Sequence, residues 1–161
     1  NLKKYSDSVY KLAKKLKCKI IFEPGRSIIG DTGILLSKIQ YIKKGAKKDF
    51  IIIDAGMNDF MRPALYDAVH KIIPIKKSKS KLKGTIEFVG PICESTCKFG
   101  SYKNYQKMSE NDFVAITNVG AYGSSLSSNY NSRPLIAELL VNKNKIKYIR
   151  KKQDLLKLIN S

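Results

Sequence analysis

The sequence predicts a mainly β protein, an antiparallel barrel or sandwich over residues 31–161, preceded over residues 1–30 by a short α/β piece. Three observations predict it. From Ile34 onward, apolar residues gather in short β-branched and aromatic runs separated by turn signals, the spacing of a many-stranded β fold. Before Gly30 the period is helical instead. With 43% hydrophobic content in 161 residues, the chain can bury one sizeable core.

Each element follows in order. Val9, Leu12, Ala13 and Leu16 recur at helical spacing, which predicts a helix over Tyr5–Leu16. The apolar run CKIIFE reads as a buried strand ending at Pro24-Gly25, and a short helix follows over Arg26–Gly30. This is one unit of an α/β layout with no strand before it to pair with, so the chain reads as cut at its front. The runs ILLSKIQYIK, DFIIIDAG, VHKIIPI, KGTIEFVG, DFVAITNVG, LIAELLV and KIKYIRK are the predicted strands. Between the third and fourth lies KKSKSKLKG, Lys76 to Gly84, read as a solvated hairpin loop. KQDLLKLIN closes the chain as an amphipathic helix.

Composition narrows the function. No apolar run approaches the roughly 18 residues of a membrane span, and the first residues carry no signal-peptide core. Three cysteines, Cys18, Cys93 and Cys97, are an odd number at scattered spacings, which fits reduced thiols in a cytoplasmic setting. The net charge of +18 comes from lysines spread along every segment, accompanied by many Ile and Asn, the composition AT-rich coding produces. No nucleic-acid motif accompanies it.

The arginines say more. Only Arg26, Arg62, Arg133 and Arg150 interrupt the lysines, and the first three stand beside prolines in EPGRS, FMRPALYD and NYNSRPL. A guanidinium grips carboxylate or phosphate with two parallel hydrogen bonds, so small anionic groups are the expected ligands. Arg62 and Tyr66 are four apart and share one helical face. Gly25, Arg26 and Ser27 stand at a strand-to-helix turn, whose free N–H groups suit an anion. Asp54, Asp59 and Asp67 read as turn and cap residues, and His70, the lone histidine, as a packed strand residue. The polar run SSLSSNYNSRP reads as a loop held by backbone hydrogen bonds. In GPICESTCKFG, Cys93 and Cys97 flank Glu94 and could form half a metal site, a disulfide arm, or a reactive thiol beside a carboxylate.

Four motifs now stand in one order: FEPGRS, DAGMNDFMRPALYDAVH, GPICES and NVGAYGSSLSSNYNSRP. Together they resemble the C-terminal part of the diaminopimelate decarboxylase family, fold-type III enzymes dependent on pyridoxal 5'-phosphate that join a TIM barrel to an antiparallel β-barrel like the C-terminal domain of alanine racemase. The resemblance implies that residues 1–30 are the last strand and helix of the cofactor-binding barrel and residues 31–161 the β-barrel domain. It implies decarboxylation of meso-2,6-diaminopimelate to L-lysine, the last step of lysine biosynthesis, by a homodimer with composite active sites. Gly25 and Arg26 would then belong to the phosphate loop, Arg26 reaching a substrate carboxylate as well, and Glu23 would pair with the pyridine nitrogen, keeping it protonated. Arg62 and Tyr66 would grip the distal carboxylate of the substrate, and Tyr122 would lie near cofactor phosphate and substrate. Cys93 would donate the proton to Cα, and Glu94 would bind the distal amino group, both from the partner subunit.

Two cysteines with one remote histidine do not supply the roughly four ligands of a zinc site, and a disulfide does not suit this compartment. None of the lysines sits in a motif resembling the strand that carries the cofactor-binding lysine, so these residues alone are expected to be inactive. The segment Thr96–Lys98 and Val119 depart from the family pattern. The alternatives are a related decarboxylase of the ornithine or arginine type and a non-catalytic dimerisation module derived from the β-domain; ornithine offers no distal carboxylate for Arg62 and Tyr66.

Overall fold

The structure is a computed structural model describing residues 2–160. Helix α1 (Leu2–Leu16) forms where the helical period predicts it, and none of its residues is buried. The run CKIIFE is not a strand: Cys18–Glu23 has no regular structure, with Ile21 76% and Phe22 51% exposed. Apolar residues make a strand only where a neighbour completes its hydrogen bonds, and no described strand lies beside this run. Phe22 lies edge-on to Tyr5 of α1, with centroids 6.1 Å apart. Helix α2 (Arg26–Ile29) runs into a 3₁₀ turn over Gly30–Thr32.

From Ile34 the chain builds one curled sheet. Its strands are β1 (Ile34–Lys43), β2 (Asp49–Ile53), β3 (Ile72–Pro74), β4 (Thr85–Val89), β5 (Lys98–Lys103) and β6 (Phe113–Thr117), in the order β3-β6-β1-β2-β4-β5. Strand β1 makes the curl. Its first half pairs with β6, its second half with β2, and a bulge between Ile39 and Tyr41 bends it between the two partners. The sheet is not wholly antiparallel, because β2 and β4 run parallel. The connection between them carries the short helix α3 (Arg62–Tyr66) and β3, so Lys76–Gly84 is a crossover loop and not a hairpin. A separate hairpin, β7 (Glu138–Asn142) with β8 (Lys145–Arg150), and helix α4 (Leu155–Ile159) follow; the Asp154 carboxylate caps α4 by accepting from Leu156 N–H at 2.9 Å.

Inside the curl, alternate residues of each strand meet in one core. Ile39, Ile51, Ile53, Ile72, Ile86, Phe88, Val114 and Ile116 are essentially inaccessible, as is Phe60 on the connection after β2. The edge strands β3 and β5 share no ladder. Two tyrosines join them instead: Tyr102 Oη accepts from Ile72 N–H at 2.9 Å and donates to His70 C=O at 3.1 Å, and Tyr105 Oη donates to Ile72 C=O at 2.7 Å. Both rings pack edge-on to Phe88. Burial pushes both phenols above their ordinary pKa, so they stay protonated and keep donating.

This seam should carry measurable stability. Tyr105→Phe removes one donor and is expected to cost about 1 kcal/mol, and Tyr102→Phe, which removes a donor and an acceptor together, about 2 kcal/mol. Chemical denaturation of each variant checks the order; equal, unchanged midpoints would mean that packing alone closes the sheet.

Candidate active site

The site begins with a contact that only glycine permits. The loop after β6, Val119–Gly123, lies against the 3₁₀ turn that follows α2: Gly120 N–H donates to Gly30 C=O at 3.0 Å, and Val119 N–H to Gly33 C=O at 3.1 Å. A Cβ on Gly120 would stand 2.0 Å from Ile29 O, and one on Gly33 would stand 2.7 Å from Gly120 Cα. Both backbones therefore need the missing side chain. The contact carries Tyr122 beside α2, where a Cβ on Gly25 would meet its hydroxyl at 3.5 Å. Tyr122 itself holds a left-handed backbone at φ 58°, a cost of order 1–3 kcal/mol that persists only where the surroundings fix it.

Helix α3 supplies the opposite wall. Pro63 stands in its first turn, and it ends at Asp67 in the left-handed conformation at φ 50°. Arg62 is buried, and its guanidinium lies 5.8 Å from the Tyr66 ring and 5.7 Å from the Tyr122 ring. Arg26, Arg62, Tyr66, Ala68 and Tyr122 line one open cleft of about 460 Å³. Four of the predicted site residues thus meet in one place, and Gly25 borders it. Among the described residues no carboxylate is in the lining. Arg62 Nε is buried without a hydrogen-bond partner, a donor whose isolation costs free energy until an acceptor arrives. A phosphate or carboxylate is an acceptor of that kind, so the residues present fit the phosphate of a pyridoxal phosphate.

Beneath this wall lies His70, with its ring against Phe60 at 4.6 Å. It is packed as expected, though in the segment before β3 and not in a strand. Its Nδ1 lies 2.9 Å from Thr117 C=O, which can only accept, so Nδ1 carries the proton and the unpartnered Nε2 is a bare acceptor. Burial first, then the charges of Arg62 and Arg26, hold its pKa below the ordinary value, against the Thr117 bond.

The other predicted residues stand elsewhere. Glu23 is exposed and outside the cleft lining. Cys93 and Glu94 occupy the turn between β4 and β5, and neither lines the cleft. Cys93 is exposed, whereas Cys97 is buried and accepts from Met57 N–H at 3.4 Å. Glu94 is held by Tyr130, whose hydroxyl donates to its Oε1 at 2.5 Å. Tyr130 is the partner that sequence reasoning missed; its signal lay only in belonging to the same motif as Tyr122.

Arg133 corrects an expectation, because it is no ligand for a small anion. Its Nε donates to Asn58 Oδ1 at 3.1 Å, its terminal nitrogen to Asp54 C=O at 2.8 Å, and it lies 3.7 Å from Asp59. Burial raises the Asp59 pKa, opposed by Gly56 N–H and by Arg133. Asp54 accepts from Ser37 Oγ and Lys38 N–H, and Asp59 from Gly56 N–H, the turn roles expected of them. The run SSLSSNYNSRP is pinned as expected: Ser128 N–H donates to Asn58 C=O at 2.9 Å, and Ser127 Oγ to Ser124 C=O at 2.6 Å.

A curled sheet of this topology, with a glycine-clamped loop and a cationic cleft at the junction with a preceding helix, defines one class of domain. The family described as pyridoxal-dependent decarboxylase, C-terminal sheet domain, matches residues 8–120. The chain belongs to that family. Within it, the chain is 42% identical to the diaminopimelate decarboxylase of Aquifex aeolicus over 149 residues, and 44% identical to that of Helicobacter pylori over 151. These matches cover 92% and 94% of this chain but 35% and 37% of the relatives, so the chain spans little more than a third of their length. The crystal structure of the Helicobacter pylori diaminopimelate decarboxylase complexed with L-lysine superposes with a TM-score of 0.85 at 42% identity, over 99% of this chain and 39% of that one. An arginine decarboxylase from Paramecium bursaria Chlorella virus, 15% identical with a TM-score of 0.67 over 79% of this chain and 36% of that one, shares the fold alone.

The lone histidine makes its own test. Because His70 binds its proton less tightly folded than unfolded, its contribution to stability is present above about pH 6.5 and is lost as pH falls from there through the folded pKa. Imidazole NMR should show an Nδ1–H tautomer titrating below the ordinary value, and His70→Phe should flatten stability against pH in that window. A titration at or above the ordinary value would contradict this.

Proposed function

We propose that this segment is the C-terminal part of a diaminopimelate decarboxylase, which removes the α-carboxylate of meso-2,6-diaminopimelate to give L-lysine at the end of lysine biosynthesis. The observation that carries the reading is the cleft of Arg26, Arg62, Tyr66 and Tyr122, with its unpartnered buried guanidinium donor. Residues up to Gly30 supply the last piece of the cofactor-binding barrel, and the curled sheet supplies the substrate walls. When bound, pyridoxal phosphate supplies the electron sink for carboxylate loss.

The chain's own residues have the remaining tasks. Gly25 and Arg26 hold the cofactor phosphate, with Arg26 also reaching a substrate carboxylate, and Glu23 keeps the pyridine nitrogen protonated. Tyr122 borders both phosphate and substrate. Arg62 and Tyr66 grip the distal carboxylate, one through a guanidinium fork and the other through a hydroxyl. Cys93 Sγ gives its proton to Cα once the carboxylate has left, and Glu94 receives the distal ammonium. Cys93 and Glu94 stand outside the cleft lined by their own chain, which supports a homodimer in which each CES turn serves the other subunit's cofactor. The setting is the cytoplasm. Ornithine has no distal carboxylate and leaves Arg62 without a partner, which favours diaminopimelate.

In the complete enzyme, Arg62→Lys keeps the charge and loses the fork. We expect kcat/KM for diaminopimelate to fall about tenfold to a hundredfold, or about 1.4–2.8 kcal/mol, with cofactor affinity unchanged. Steady-state kinetics with a cofactor titration checks both halves; an unchanged kcat/KM would remove Arg62 from the clamp.

A further inference from the structure

The proposed substrate site uses Glu94 but does not explain what aims it. We infer that Tyr130 is the positioning residue for Glu94, locking its carboxylate so that one oxygen is left for the distal ammonium of the substrate. The inference rests on the reading of Glu94 given above and adds a residue to it.

Four observations carry it. Tyr130 Oη donates to Glu94 Oε1 at 2.5 Å, linking residues 36 apart in the chain, and Glu94 Oε2 takes no part in that bond. The anionic partner raises the Tyr130 pKa, which keeps its proton in the bond. The backbone around Tyr130 is held in a form it would not adopt alone, since the next two residues, Asn131 at φ 57° and Ser132 at φ 54°, are both left-handed without being glycine. That form is fixed from both sides. Asn129 Nδ2 donates to Arg133 C=O at 2.9 Å and to Gln153 Oε1 at 2.6 Å, and Ser128 is tied through Asn58 to Arg133.

The chemistry follows from the geometry. The backbone of the CES turn is held, Glu94 N–H donating to Ile92 C=O at 2.8 Å and Cys97 N–H to Glu94 C=O at 3.0 Å, while the exposed Glu94 side chain takes its hold from Tyr130. A free carboxylate side chain loses rotamer entropy on meeting an ammonium, whereas one already bonded to a phenol carried on a pinned loop has given up part of that freedom beforehand. A neutral donor does this without cancelling the charge that attracts the ammonium. Arg133 therefore acts at a distance: its clamp on Asn58, Asp54 and Asp59 anchors the loop that presents Tyr130.

The test compares Tyr130→Phe, Glu94→Gln and the double variant in the complete enzyme, with diaminopimelate and with 2-aminopimelate, which lacks the distal amino group. For Tyr130→Phe, KM for diaminopimelate should rise about three- to tenfold, while 2-aminopimelate kinetics stay unchanged. Added to Glu94→Gln, Tyr130→Phe should cause no further loss. Carboxyl ¹³C NMR gives a reading independent of turnover: the Glu94 carboxyl chemical shift should move in Tyr130→Phe. If Glu94→Gln raises KM for diaminopimelate while Tyr130→Phe does not, or if Tyr130→Phe impairs both substrates equally, the positioning role is overturned and the Glu94 reading stands. If Glu94→Gln itself leaves diaminopimelate kinetics unchanged, the reading of Glu94 falls and this inference with it.

Discussion

The cleft exists because two backbones meet where neither carries a side chain. Gly120 packs on Ile29 and Gly33 on Gly120, and two hydrogen bonds, Gly120 to Gly30 and Val119 to Gly33, join the sheet to the segment before it. Remove that approach and Arg26 no longer shares a cavity with Arg62. Every residue between Arg26 and Gly33 belongs to the segment before the sheet, whereas Arg62, Tyr66 and Tyr122 ride on sheet connections, and this contact helps bring them together. The left-handed backbone at Tyr122 is part of the same device, because a loop pinned at Val119 and Gly120 must turn sharply to present a phenol over α2.

The sheet imposes a second arrangement. Its curl is closed by tyrosine hydroxyls instead of a ladder, and the turn between β4 and β5 stands beyond the cleft. Cys93 and Glu94 therefore occupy a separate place from the cationic wall, and Tyr130 tethers Glu94 there. Under the proposed function, the cationic cleft and the Cys93–Glu94 turn are the two halves of a site that a two-fold dimer would bring together.

Much of this was legible in the sequence, and the failures have local causes. Helix α1 and seven of the eight described strands followed from period and turn chemistry; Arg26, Arg62 and Tyr66 stood out because arginine is informative in a chain so rich in lysine, and Tyr122 stood out only through the family motif that carries it. Strand β5 was not legible. Val89 pairs with Lys98 and Phe88 with Gly100, so Phe99 is an extra residue that breaks the alternation, and Gly100 at φ 149° hides the strand further. The run Cys18–Glu23 misled in the opposite direction, since its apolar residues announce burial without supplying a neighbour. The parallel pairing of β2 with β4 leaves no periodic trace in either strand. Arg133 and Arg62 look alike in sequence, each beside a proline; only the positions of Asn58, Asp54 and Asp59 make the first a brace and leave the second with an open donor.

The central claim is that the two halves of the site come from different chains, and subunit mixing tests it most directly. Complete Cys93→Ala subunits are combined with complete subunits mutated at the cofactor-binding lysine of the barrel, each inactive or nearly so alone. Random pairing makes about half of the dimers mixed, each with one intact site of two, so lysine formation should recover to roughly a quarter of the wild-type rate. Mixed dimers demonstrated by mass with no recovered activity would contradict the account, placing Cys93 in its own subunit's chemistry or outside the reaction altogether.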